Sequence, residues 1–143
     1  MIRLLVYILA FSCLLSCKKE KAIVVSKYNW HGHEVTVSAY NSVSWQTQGN
    51  PNIAAWGDTL KPGMKVVAIS RDLMALGIDH NSMMTIESLP DTFIVKDKMN
   101  RRWRNRIDIY MGKDVKKARE WGRKKLFICY ALPKDSTNYK TLP

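Results

Sequence analysis

The clearest hydrophobic pattern begins at Glu34, where Val35, Val37 and Ala39 alternate with polar neighbours up to Tyr40. An alternation of period two predicts a strand with one buried face. Further short apolar runs occur at Lys65–Ile69, Met83–Glu87, Thr92–Lys96, Arg106–Tyr110 and Leu126–Leu132. Each has the length of a strand and is bounded by turn residues. Between the last two, Val115, Ala118 and Trp121 recur at helical spacing, and Gly122 supplies a stop, so Lys113–Trp121 is the one convincing helix. Asp72–Leu76 reads as a single helical turn closed by Gly77. The loop from Asn41 to about Ile53 carries Asn-Pro and Gly signals, and Lys61-Pro62-Gly63 is a turn. Six strands with one helix before the last predict a mainly β domain closed into a small barrel, because closure removes exposed sheet edges.

The N-terminus follows a different logic. Leu4–Leu15 is almost wholly apolar behind Arg3, too short to span a bilayer, and gives way to Lys18-Lys19-Glu20-Lys21. Residues 1–16 therefore read as a secretory signal. Leu14-Leu15-Ser16-Cys17 resembles a bacterial lipobox, which implies that Cys17 is acylated and becomes the first residue of a lipoprotein. Several acyl chains on one residue exceed what stable anchoring requires. Residues 17–33 then form a lipid-anchored tether, 34–132 the folded domain and 133–143 a polar tail.

Composition sharpens this picture. The 143 residues include 23 Lys and Arg against 12 Asp and Glu, a net charge of +11. Removing the signal deletes one charged side chain, Arg3, and leaves +10 on the mature side chains. Three cysteines exclude a disulfide scaffold. Cys13 leaves with the signal, so Cys129 has no internal partner; in its apolar run it reads as a small buried hydrophobe.

The densest chemistry lies between Asp97 and Asp108, where Arg101, Arg102, Trp103, Arg104 and Arg106 make a basic, aromatic excursion between two strands. Two carboxylates held close inside a cationic rim perturb each other's protonation, with the arginines opposing any upward shift. From spacing alone the simpler reading has Asp97 as a turn residue and Asp108 paired with an arginine.

Asn105-Arg106-Ile107-Asp108-Ile109-Tyr110, followed by Ala118-Arg119-Glu120-Trp121-Gly122-Arg123 and a final apolar strand, resembles the 3D domain, named for three aspartates. That domain is shared by membrane-bound lytic transglycosylase A and by peptidoglycan-cleaving proteins of the stationary-phase secretion group. The likeness runs from about Val35 to Leu132 and includes the Gly57–Gly63 turn and Leu76-Gly77. The resemblance implies a six-stranded double-psi β-barrel. It places the family's second and third aspartates on Asp97 and Asp108, with Asp108 as catalytic acid/base and Asp97 as the group that positions it or raises its pKa. The first aspartate's position is occupied by Ser70, with Asp72 two residues later. The Thr-Gly that follows the second aspartate in the family is Lys98-Met99 here, and the family's earlier Thr-Ala-Ser/Thr-Gly segment is Ala54-Ala55-Trp56-Gly57. The resemblance implies cleavage of the β-1,4 bond between N-acetylmuramic acid and N-acetylglucosamine without water, through a 1,6-anhydro ring, by one acid/base and no cofactor. A non-catalytic module of the same fold that grips peptidoglycan is the alternative, favoured by Ser70 and the altered loop after Asp97. A structural module engaging another envelope protein is a third possibility.

On this reading Arg106, Ser70 and Asp72 contact substrate, and the loop tryptophans Trp103 and Trp56 stack on sugar faces. Trp45 also lies in a loop, Trp121 faces the core, and Trp30 fits either role. His31-Gly32-His33 puts two imidazoles on one strand face, short of a closed zinc site, and His80 has no evident partner. The arginines with Trp103 also fit nucleic acid, but an exported lipoprotein meets cell-wall carboxylates instead. The expected partners are peptidoglycan and, through the lipid on Cys17, a membrane. The expected form is a monomer on the outer membrane facing the periplasm.

Overall fold

In the computed structural model, which describes residues 26–46 and 49–134, six strands close into a barrel in the order β1-β5-β2-β4-β3-β6. They are β1 (Tyr28–Tyr40), β2 (Val66–Ile69), β3 (Met83–Ile86), β4 (Thr92–Lys98), β5 (Arg106–Tyr110) and β6 (Lys124–Pro133). The single α-helix, α1 (Val115–Trp121), precedes β6. The pairs β1/β5 and β2/β4 are parallel and the other four antiparallel, giving the mainly β, closed six-stranded barrel expected. The signal, Cys17, the first part of the tether and residues 135–143 lie outside the described residues. Among the described residues no helix is long and apolar enough to cross a membrane.

The core follows from strand alternation. Val35 and Val37 of β1, Val67 and Ile69 of β2, Val95 of β4, Ile107 and Ile109 of β5, and Ile128 of β6 point inward and are buried together. β-Branched side chains suit this pleated interior. A smaller cluster of Ala54, Leu60, Val66 and Tyr110 lies on the outer face, where the β1–β2 connection folds back over the barrel. Val115, Ala118 and Trp121 of α1 are half-buried, with Trp121 packed against the core as expected; Asp114 caps the helix by accepting the Lys117 N–H at 2.9 Å.

Two expectations are corrected. β1 starts at Tyr28, so residues 28–33, read as tether, belong to the barrel and pair with β6 from Pro133 back to Ile128. Most of this stretch is exposed on both faces, which leaves no alternation to read. Cys129 is a free, exposed thiol rather than a buried hydrophobe, because its neighbours Ile128 and Tyr130 take the inward positions of β6.

The predicted turn before β3 is a 3-10 helix, Arg71–Leu76, closed by Gly77 at φ 85°. A Cβ there would lie 3.1 Å from a Leu132 methyl. Gly77→Ala is therefore expected to cost about 1–2 kcal/mol, through left-handed strain and crowding, read as a lower urea midpoint with an unchanged slope.

A candidate carboxylate cleft

Strand register brings the two aspartates to one face without pairing their strands. Asp97 of β4 and Asp108 of β5 both sit opposite Ala68 of the intervening β2, and Asp108 is also opposite Ser38 of β1. Ser38, Asp108, Ala68 and Asp97 thus form one row across four strands on the outside of the barrel. Two interstrand spacings separate the aspartate Cα atoms, roughly 10 Å. Ala68 contributes only a methyl between them.

A β-bulge makes this row possible. Val67 pairs with Val95, whereas Ala68 pairs with Asp97, so Lys96 is the extra residue. Without it Asp97 would keep the parity of Val95 and turn inward; the bulge re-aims the carboxyl to the outer face.

A cavity of about 160 Å³ opens over the row, lined by Tyr40, Ala68, Asp97, Lys98, Met99, Asn100, Trp103 and Asp108. Its rim comes from two loops. The β1–β2 loop sends the Ala55 N–H to Asp97 Oδ1 at 2.7 Å. The β4–β5 loop is pinned by Met99 N–H to the Ile69 carbonyl at 2.9 Å and carries Trp103 to the mouth.

The two carboxyls have different surroundings. Asp97 Oδ1 accepts two backbone N–H groups, from Ala55 and from Lys98 at 2.8 Å, leaving Oδ2 outside these bonds. Burial lifts the Asp97 carboxyl above the ordinary aspartate range, and those N–H bonds only partly offset it. Tyr40, whose buried hydroxyl makes no hydrogen bond of normal geometry, has its pKa raised by burial and then by the nearby Asp97 charge.

Asp108 is instead tied to a cation, as the spacing-based reading held. Its Oδ1 accepts the Ser38 hydroxyl and lies 3.6 Å from Arg106 Nε. Arg106 donates to Ser38 Oγ from Nε at 2.8 Å and from a terminal nitrogen at 2.6 Å, and its guanidinium stacks 4.1 Å from the centre of the Trp103 ring. The ion pair is largely buried, with side-chain exposures of 11% for Arg106 and 18% for Asp108. Arg106→Ala would leave the Asp108 charge without its cation and is expected to destabilise by about 3 kcal/mol, measured by urea unfolding.

The remaining expected site residues are dispersed. Ser70 is fully buried and accepts the Arg106 N–H at 2.9 Å, so it shapes the entry to β5 and has no surface for substrate. Asp72 accepts the Asn105 N–H at 2.8 Å; burial works to raise its pKa, but this bond, the Ser70 hydroxyl and the Arg104 charge hold it below the usual range. Both lie outside the cleft lining. Trp56 stands beside the cleft, stacked on His80 at 5.1 Å with the Lys98 ammonium 4.4 Å from its ring. His80 has a partner after all: its Nε2 meets Asp58 Oδ2 at 2.5 Å, while Lys96 donates to Asp58 Oδ1 at 2.7 Å. The Lys96 bond leads in holding the Asp58 carboxyl below its usual range. Trp45 is 74% exposed on a short 3-10 turn away from the cleft lining. Trp30, also exposed, projects from the β1/β6 ribbon. His31 stacks on Tyr130 and His33 meets Asn105; among the described residues no three His, Cys, Asp or Glu side chains gather as a metal site.

Sequence reading missed Ser38, Tyr40, Lys98, Met99 and Asn100. A signal for the first two was present: if Val35 and Val37 face inward, Ser38 and Tyr40 share the opposite face. Scanned against known protein-family models and searched against curated proteins, the chain matches none.

Proposed function

We propose that the chain is a cell-envelope lipoprotein, anchored through Cys17 to the outer membrane, whose 3D-domain-like barrel cleaves peptidoglycan glycan strands as a lytic transglycosylase. The observation that carries this reading is the row of Asp108, Ala68 and Asp97 beneath one open cavity with Trp103 at its mouth. Two carboxyls in unlike surroundings can divide the work of proton transfer and charge stabilisation. Trp103 offers a flat face to a sugar ring, and exposed Arg101 and Arg102 suit the carboxylates of muramyl peptides.

The surroundings of the aspartates favour exchanging the roles that the family resemblance implies. Asp97, raised by burial, is assigned the proton donor, while Asp108, ion-paired with Arg106, is placed to face the developing positive charge. Asp97 gives its proton to the glycosidic oxygen as the bond from that oxygen to C1 of N-acetylmuramic acid breaks. The positive charge developing at C1 is stabilised by Asp108. The sugar's own C6 hydroxyl then attacks C1 and returns its proton to Asp97, closing the 1,6-anhydro ring and restoring the enzyme.

A non-catalytic peptidoglycan-gripping module is the second reading. It is favoured by Ser70, which occupies the place of the family's first aspartate and is committed to the backbone of Arg106. Incubation of the purified protein with sacculi separates the two. Release of anhydro-muropeptides, lost in both Asp97→Asn and Asp108→Asn, supports the enzyme. Co-sedimentation with sacculi and no released fragment supports the gripping module.

A further inference from the structure

A second and larger cavity, about 520 Å³, opens where the Pro62–Lys65 turn and α1 meet the barrel. It shares no lining residue with the carboxylate cleft. Its size falls within the usual range for small-molecule sites. Met64, Leu89, Phe93, Met111 and Trp121 give it apolar walls, and its two methionines can adapt to a guest's shape.

The charges around this chamber are not balanced. Lys65 is matched by Asp91 at 2.6 Å, and the Asp114 carboxylate is engaged as the cap of α1. Lys113 and Lys117, which also line the chamber, enter no ion pair among the described residues. Three lysines against two aspartates leave the lining with one positive charge in excess, and an apolar interior with that excess complements a molecule that is apolar along its body and negative at one end.

We propose that this chamber is a binding site for a small amphiphilic anion, its hydrocarbon body between Met64, Phe93 and Trp121 and its carboxylate against Lys113 and Lys117. Occupancy is independent of the Asp97–Asp108 cleft. The purified protein is titrated calorimetrically with octanoate and with octanol, which has a similar body and no charge. Octanoate is expected to bind saturably at one site, and octanol at least tenfold more weakly. Met64→Trp, in an exposed turn, fills the chamber and is expected to abolish octanoate binding. Lys113→Glu combined with Lys117→Glu, both on the surface, is expected to weaken octanoate at least tenfold and to erase the preference over octanol. Asp108→Asn is expected to bind octanoate as the parent does. Failure of octanoate to saturate a single site overturns the proposal, as does binding indifferent to the lysine pair or equal affinity for octanol in the parent protein.

Discussion

Asp97→Asn is expected to yield a protein that lacks the proposed glycan-cleaving activity yet is more stable at neutral pH. The carboxyl is lifted above its ordinary range by burial, so the folded state binds its proton more tightly than the unfolded chain does. The stability gained from that proton is fully present below the unfolded pKa and is lost as pH rises through the folded one. Above both values the buried charge is a net cost. Asparagine imitates the protonated acid: its Oδ1 can keep the N–H bonds from Ala55 and Lys98, and no charge remains to be buried. Thermal melts are therefore expected to show a higher Tm for the variant at pH 7 and no gain at pH 3. Loss of the proton donor should reduce release of muropeptides by about 100-fold to 10,000-fold. A lower Tm at pH 7 would mean that the ionised carboxylate is favoured where it sits, and that another group carries the proton.

The second large effect is expected at Ala68, which has no chemistry of its own. It is the shared neighbour of both aspartates, and its small side chain leaves open the space between them. Ala68→Leu places a branched side chain in that gap without removing either carboxyl. Displacing substrate by about an ångström is enough to lower turnover by on the order of 100-fold. Overpacking should cost no more than about 1–3 kcal/mol. Ala68→Gly keeps the gap open and is expected to retain activity. The comparison is read from initial rates of fragment release alongside urea unfolding. Full activity in Ala68→Leu would show that the space between Asp97 and Asp108 is not where the glycan sits.

What was legible in the sequence was local. Alternation of Val35 and Val37, the β-branched runs around Val67, Val95 and Ile107, and the helical spacing of Val115, Ala118 and Trp121 all follow from short-range burial patterns, and these elements stand where they were expected. The ribbon of residues 28–33 escaped because a strand exposed on both faces has no hydrophobic period. Cys129 was misplaced because Phe127, half-exposed on the same outer face, gives β6 the look of a fully buried run.

The site was legible as residues but not as geometry. Asp97, Asp108 and Trp103 stand out by type and spacing, yet their meeting depends on Ala68, whose methyl carries no chemistry that would mark it as part of a site. The bulge at Lys96 depends on register with β2 and leaves no mark within β4 itself. Ser70 shows the converse case. Its place in the motif pointed to substrate, while in the packed barrel its buried hydroxyl oxygen accepts the Arg106 N–H.

The cleft between Asp97 and Asp108 is proposed to break a glycosidic bond without water. Mass analysis of the fragments released from sacculi by the purified protein in oxygen-18 water tests it most directly. Muramic ends lighter by one water than the hydrolysed form, and free of oxygen-18, are the predicted result. New reducing ends carrying oxygen-18, or no new ends at all, would contradict it.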